Sequence, residues 1–355
     1  MKKLKLAFIM IVLAALLVPS VLMFCGYKNA NRENRVLAKL PKLFTEEGFN
    51  TRFAAQFDKY VDDNYALREY VVTAFNAADI ALLKDVNGTN AVIGKDHNIF
   101  YGETVEDYLG INGLTEEQIN TIADYLSDMR NKLEERGMQF AFMTAPNKAT
   151  VYPELMPSYL RPTDAPRNID LLREALIARG VDYIDAKAIL LEAKQRRSVY
   201  YRHDSHWNNY GAMLVYNAIA ERFGLEVRDP DLYETVTDRM GDLHNFVYPS
   251  TDYPEERIIY PKLHSYTSAR PINFDRDKTV ETESGANSIS LLFYHDSFGR
   301  SLQPILSEGV GSLFMTSYFP YDTSYIDERS PDAVLIELVE RNLDKLYEHA
   351  ASLGF

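Results

Sequence analysis

The run from Thr115 to Thr144 constrains the fold more than any other part of the chain. Thr115-Glu116-Glu117-Gln118 has the form of a capping box, in which the threonine hydroxyl and the glutamine amide each satisfy an orphan backbone N–H at a helix start. Ile119, Ile122, Leu126, Met129 and Leu133 then recur at three and four residues, which puts one apolar face on that helix, and Gly137 ends it. Met138 to Thr144 follows directly as a strand. A second unit repeats the order, with a helix over about 167–179, a stop at Gly180 and a short strand over Val181–Asp185. Helix and strand in alternation predict an α/β fold with a mostly parallel sheet flanked by helices.

The rest of the chain fits around these units. A helix is expected over about 208–223, strands over Ile289–Tyr294, Leu313–Thr316 and Ala333–Val339, and two helices from Phe49 to Tyr60 and from Tyr70 to Leu83. Between Asp229 and Thr282 the sequence is rich in Asp, Tyr, Pro and Thr and is poorly periodic. It reads either as an irregular insertion that walls a substrate site or as a loop with short edge strands. No internal repeat or low-complexity segment is present, which excludes solenoids and propellers.

Met1-Lys2-Lys3-Leu4-Lys5 precedes a nearly unbroken apolar stretch from Leu6 to Phe24. As a helix this stretch is roughly 28 Å long, close to the thickness of a bilayer core. The basic start, the length and the lack of a small-x-small cleavage site favour a signal anchor over a cleaved signal peptide. Cys25 invites a lipoprotein reading, but Phe24 occupies a position where a small residue is expected. Cys25 is also the only cysteine, so the folded part has no intrachain disulfide, thiolate nucleophile or Cys-based zinc site. The expected organisation is an anchor over 1–27, a polar juxtamembrane linker over 28–48 and a domain over 49–355 that lies outside the cytoplasm.

The formal net charge of -13 argues against a nucleic-acid partner, whose backbone is bound through Lys and Arg. It also repels polyanionic glycans unless basic residues gather locally, for example at Arg196, Arg197 and Arg202, and so makes a neutral or weakly charged sugar polymer the easier substrate.

Two segments carry chemistry. Ser288 to Tyr294 is an apolar strand pattern, followed by His295-Asp296-Ser297-Phe298-Gly299-Arg300 and a helical run. Ser297 therefore stands where a strand hands over to a helix, and unsatisfied N–H groups there can hold an oxyanion. The bland reading is that Ser297 is only a helix N-cap. The second segment is His203-Asp204-Ser205-His206-Trp207. A serine hydroxyl needs a base, and an imidazole serves best when a carboxylate fixes its tautomer, so His206 and Asp204 complete a triad with Ser297. Against this stand an ordinary polar loop around one core tryptophan, and a metal site built from His203, Asp204 and His206 with His295 and Asp296. The metal reading leaves the strand-Ser-helix junction unexplained.

Asp204-Ser205-His206-Trp207 with Gly211-Ala212, Asp296-Ser297-Phe298, and Arg329-Ser330-Pro331-Asp332-Ala333-Val334 with Glu340-Arg341 resemble the DHHW family and the SGNH-like domain of the AlgJ and AlgX alginate O-acetylation proteins. Asn34-Arg35, Val92-Ile93-Gly94-Lys95-Asp96 with Phe100-Tyr101, Pro146-Asn147-Lys148 with Tyr152-Pro153-Glu154, and Gly241-Asp242-Leu243 follow in the same order. The resemblance implies an SGNH-hydrolase-like, flavodoxin-like fold in which Asp204 and His206 precede Ser297. It implies a serine-dependent O-acetyltransferase of a cell-surface glycan or exopolysaccharide, supplied by a membrane-bound acyltransferase and using no cofactor or metal. An acetylesterase with the same triad, or a glycan-binding scaffold without activity, are the alternatives. The oxyanion candidates are the Ser297 N–H and Asn147; the candidate substrate contacts are Trp207, Arg300 and Arg341. Two departures stand out: Ser205 replaces the first histidine of the Asp-His-His-Trp string, and His295 occupies a position where related hydrolases often carry glycine.

Overall fold

A computed structural model of the chain describes residues 2–32, 36–46, 48–83, 85–86, 89–262 and 265–354. The Asn34-Arg35 pair named above lies outside the described residues. The chain forms two compact units, one of residues 1–91 with 244–253 and the other of residues 92–243 with 254–355.

The first unit holds α1 (Lys2–Phe24), α2 (Phe53–Asn64) and α3 (Arg68–Leu83). At 23 residues α1 is long and apolar enough to cross a membrane. Donors in the stretch expected as a juxtamembrane linker reach α2, α3 and the turn between them. Ala38 N–H donates to Asp63 (2.9 Å), the Asn29 side chain to the Tyr65 carbonyl (2.8 Å), and Asn31 N–H to Glu69 (3.1 Å). Polar residues without apolar periodicity look like a linker in sequence; here buried carboxylates on two helices take up their backbone donors.

The second unit contains the sheet. Apart from short strands within residues 91–101, its strands are β1 (Gln139–Ala145), β2 (Tyr183–Ile184), β3 (Glu234–Met240), β4 (Pro254–Ile259), β5 (Tyr266–Thr267), β6 (Thr279–Ser284), β7 (Ser290–Tyr294), β8 (Ser312–Thr316) and β9 (Ala333–Val339). Seven of them form one sheet in the order β2-β1-β9-β7-β8-β6-β5. The first five of that order are mutually parallel, and β6 and β5 extend the sheet antiparallel. β3 and β4 pair as a separate antiparallel hairpin. The stretch 229–282 is therefore partly regular, contributing this hairpin, the edge strand β5 and most of β6 beside it.

Period-two alternation sorts each central strand between two cores. From β1, Phe140 and Phe142 enter one core and Ala141, Met143 and Ala145 the other; from β7, Leu292 and Tyr294 oppose Leu291 and Phe293. One core is closed by α4 (Glu116–Glu134), α5 (Asn168–Ala178) and α9 (Leu343–Ser352), the other by α6 (Ala186–Ala193), α7 (Asn209–Phe223) and α8 (Gln303–Gly309). The expected capping box opens α4, with Gln118 N–H on the Thr115 hydroxyl (3.2 Å) and Thr115 N–H on the Gln118 side chain (2.8 Å). The result is a three-layer SGNH-like α/β fold. β1, β7 and β9 end at Ala145, Tyr294 and Val339, and the segments that follow them carry Asn147, Ser297 and Arg341. Ligands of such sheets bind outside the carboxyl ends of the strands.

Candidate active site

Ser297 sits three residues beyond β7 and begins a single 3₁₀ turn, Phe298–Ser301, ahead of α8. Its hydroxyl makes no capping hydrogen bond, so the N-cap reading does not account for it. Asp296 braces the turn. It accepts the N–H of Phe298 (2.9 Å) and that of Val339 on β9 (2.7 Å), while its own N–H donates to Glu337 (3.0 Å). Burial, with the Asp296 charge beside it, pushes the carboxyl of Glu337, a strut within an apolar strand, well up. Phe298 is fully buried; the N–H of Ser297 has no hydrogen-bond partner among the described residues. That donor is free to meet an oxyanion.

His206 lies on a loop that regular structure barely touches. One antiparallel bridge, Tyr200 to Trp207, closes it, and Asn208 caps α7 immediately after it. The backbone between is held by polar partners. Glu255 accepts the N–H groups of Arg202 (2.6 Å) and His203 (2.8 Å), and Lys148 donates to the Arg202 carbonyl (2.6 Å). Lys148 is itself buried, and desolvation lowers its amine to about 7.

These two segments bring the triad residues together. His206 Nε2 is 2.8 Å from Ser297 Oγ, and His206 Nδ1 is 2.7 Å from Asp204 Oδ1. Asp204 is fully buried. Burial alone would raise its carboxyl, but hydrogen bonding and charge from His206, together with Arg239, outweigh this and hold it well below the usual range. An ionised Asp204 only accepts, so Nδ1 carries the ring proton and Nε2 is left to accept from Ser297. The His206 side chain is 20% exposed and Ser297 is half-buried, so the hydrogen-bonded pair is partly open to solvent.

The metal reading fits these residues poorly. Donor atoms of Asp204, His206 and Asp242 cluster within 4.8 Å, while His203, His295 and Asp296 do not join them among the described residues. Each clustered atom already has a protein partner, and the guanidinium of Arg239 fills the place beside Asp204 that a cation would take.

Trp207 is corrected from substrate contact to core. It is 1% exposed, its indole N–H donates to Ser301 (2.5 Å), and its ring packs edge-on against Phe298 at 5.0 Å. Asn147 is buried with its N–H on Glu340 (2.8 Å) and its side-chain amide on Asp107 (2.8 Å), so those donors are engaged away from Ser297. Glu340 is raised by burial, and by the charge of Asp107, to about 7. Arg300 is exposed and reaches toward the insertion, donating to the Phe274 carbonyl (3.3 Å). Arg341 makes no hydrogen bond or ion pair among the described residues; its guanidinium lies over Tyr101 (5.3 Å) and Phe298 (5.8 Å).

The two departures from the family string are both absorbed. Ser205 donates its N–H (2.8 Å) and hydroxyl (2.6 Å) to Asp242. His295 is buried with Nδ1 on the Asp296 carbonyl (2.6 Å), and desolvation lowers it to about 4, so it is a neutral packing residue. Sequence reasoning missed Arg239, Glu337 and the role of Asp242. Glu337 did leave a signal, as the one charge in Ala-Val-Leu-Ile-Glu-Leu-Val.

Comparison with known proteins agrees with this architecture. A family model described as an SGNH hydrolase-like domain of the acetyltransferase AlgX matches residues 91–262, which include Asp204 and His206 and stop short of Ser297. The probable alginate O-acetylase AlgJ of Pseudomonas aeruginosa is 26% identical over 278 residues, 73% of this chain and 63% of that protein, so this chain spans less than two thirds of that relative. PatB1 of Bacillus cereus superposes with a TM-score of 0.53 at 16% identity, covering 72% of this chain and 97% of that one. A DHHW family protein from Eubacterium siraeum gives 0.52 at 16% identity, covering 74% and 98%. The two superpositions establish the fold. The chain thus has an SGNH-like fold, with residues 91–262 similar to the SGNH hydrolase-like domain of AlgX and the chain similar to AlgJ and to the DHHW family protein.

Proposed function

We propose that this protein is an O-acetyltransferase of an extracytoplasmic polysaccharide, working through Ser297, His206 and Asp204. The observation that carries the reading is the unbroken hydrogen-bond chain from Asp204 through His206 to the half-buried Ser297 hydroxyl, beside an unspent Ser297 N–H. His206 Nε2 takes the Ser297 proton as Oγ attacks the acetyl carbonyl of a donor. The tetrahedral oxyanion is met by the Ser297 N–H, and His206 returns the proton to the leaving group, which departs and leaves acetyl-Ser297. A sugar hydroxyl then gives its proton to His206 and attacks the acetyl carbon, and Ser297 leaves with that proton. With water as acceptor the same steps give an esterase.

The donor is an activated acetyl group handed over by a membrane-bound acyltransferase, and α1 holds the enzyme at that membrane as a single anchor with the second unit on the outer side. The acceptor class follows from the relatives named for alginate O-acetylation. Arg341, a cation beside Phe298 with no acidic partner among the described residues, offsets locally the overall negative charge that would repel an acidic sugar chain.

The test uses the full chain in detergent with a fluorophosphonate probe and a small activated acetyl ester. Ser297→Ala is expected to lose labelling and at least ~10³-fold of ester cleavage while keeping its circular dichroism. Retained turnover in that variant removes Ser297 from the mechanism, and a wild-type protein that neither labels nor cleaves reduces the site to a glycan-binding surface.

A further inference from the structure

Asp204 has two oxygens, and the triad uses one. Oδ1 accepts the Nδ1 proton of His206 (2.7 Å) and the His206 N–H (3.0 Å). Oδ2 receives Nε of Arg239 (3.1 Å) and also its Nη2, a two-pronged contact to a single oxygen. Arg239 comes from β3, in the insertion whose pattern made it look irregular. The register between β3 and β4 shifts between Thr237 and Arg239, and such a bulge re-aims the side chain beside it. The strand is tied down next to the bulge, where Arg257 grips both oxygens of Asp238 (2.8 and 2.6 Å). The Arg239 guanidinium also lies over the Tyr201 ring at 5.3 Å.

The residues after Arg239 hold the same loop by different means. Gly241 runs so close to it that a Cβ there would stand 2.1 Å from the His203 carbonyl oxygen. Asp242 takes the Ser205 N–H and hydroxyl, and Leu243 N–H donates to the His203 carbonyl (3.0 Å). Segment 239–243 is thus a clamp on 203–206, and within it only Arg239 supplies charge opposite to that of Asp204.

We infer that Arg239 is a positioning residue that locks the orientation and negative charge of the Asp204 carboxylate, and through it the tautomer and reach of His206. This rests on the triad reading. The charged and titratable groups around Asp204 are His206, Arg239, Asp242, Tyr201 and Lys148. Asp242 Oδ2 is 3.5 Å from His206 Nδ1, and burial and the nearby Asp204 charge push the Asp242 carboxyl up. Without Arg239, two carboxylates face one imidazole with no countercharge from the hairpin, and the cluster binds its first proton at higher pH. A protonated cluster cannot orient the neutral Nδ1–H tautomer and support the charged ring in the same way.

The experiment compares full-length wild type, Arg239→Gln and Arg239→Lys in detergent, with rates normalised to the fraction that fluorophosphonate labels. Arg239→Gln is expected to lower kcat roughly ten- to hundredfold, the range seen when an outer-shell partner is removed. KM should stay within about twofold, since the guanidinium of Arg239 is engaged by Asp204 and Tyr201, and the acid limb of kcat/KM should move to higher pH. Arg239→Lys keeps the charge and loses the fork, so it should restore the limb while recovering kcat only in part. A normalised kcat and acid limb that both match wild type in Arg239→Gln overturn the proposal, as does a lowered melting temperature with unchanged normalised kinetics. Should Arg239→Gln not fold, Arg239→Lys decides: a kcat loss of about fivefold or more at constant KM supports the role, and wild-type kcat refutes it. Failure of the triad reading is read separately, from turnover in Ser297→Ala.

Discussion

The two halves of the candidate site are built on different principles. Ser297 rides on the end of a fully buried parallel strand; its turn is fastened to β9 through Asp296 and packed from below by Phe298. Asp204 and His206 ride on a loop with one bridge of regular structure, and salt bridges and backbone hydrogen bonds from β3, the β4 start and Lys148 hold it. The serine half is held by the Asp296 hydrogen bonds set on a strand and turn whose apolar packing many residues share. The histidine half is positioned by a few polar contacts, each with a partner left exposed to loss. Substitutions among the supports of the second half should therefore damage catalysis out of proportion to stability, and those among the supports of the first, Ser297 itself apart, should do the reverse.

The sharpest test lies in the carboxylate of the histidine half. Asp204→Asn keeps the size and one acceptor but removes the charge and offers a donor to His206, which turns the ring tautomer over. A kcat loss on the order of 10⁴-fold is expected, with secondary structure retained. A loss under about tenfold would mean that Asp242, and not Asp204, orients the imidazole.

The same contrast explains what the sequence disclosed. Helices and strands of the second unit were legible because their burial follows periods of 3.6 and two: Ile119, Ile122, Leu126, Met129 and Leu133 all face a core, and Leu291 to Tyr294 alternate between two. Ser297 was legible because a strand pattern ended beside it. Asp204 and His206 stood out as residue types, and the approach of His206 to Ser297, 91 residues away, was inferred from what a serine nucleophile needs and supported by the family resemblance, since no local rule fixes it. Arg239 was invisible, since a bulged, largely exposed strand carries no periodicity that marks its one inward-aimed cation. Trp207 misled for the opposite reason: an aromatic beside a catalytic string suggests a sugar platform, whereas its indole closes the core under Phe298.

On the serine half, pH offers a test of stability without direct loss of chemistry. His295 is buried and neutral, with its folded value lowered from 6.5 to about 4 by desolvation, against a smaller opposing pull from Asp296. The unfolded chain binds this proton first as pH falls, so stability is intact above about 6.5 and is lost progressively down to about 4, by at most about 3 kcal/mol. His295→Asn keeps a donor for the Asp296 carbonyl and cannot titrate. Urea denaturation across that window should show a flatter acid slope in the variant; equal slopes would mean that the ring is protonated or exposed in the folded protein.

The smallest expected effect separates the two halves most cleanly. Gly241 touches nothing catalytic, yet a methyl group there would sit 2.1 Å from the His203 carbonyl oxygen and 3.1 Å from the Asp204 nitrogen, both backbone atoms that cannot rotate away. The loop must shift by a fraction of an ångström to about one, which carries Asp204 and His206 with it while the sheet, its two cores and Ser297 stay in place. Displacements of that size at a reacting pair lower rates by about ten- to a hundredfold. Gly241→Ala is therefore expected to lose at least about tenfold in kcat with a melting temperature close to wild type, measured on the same preparation. An equal fall in both quantities would mean that the loop is packed as firmly as the strand end, and the division between an apolar serine half and a polar histidine half would not hold.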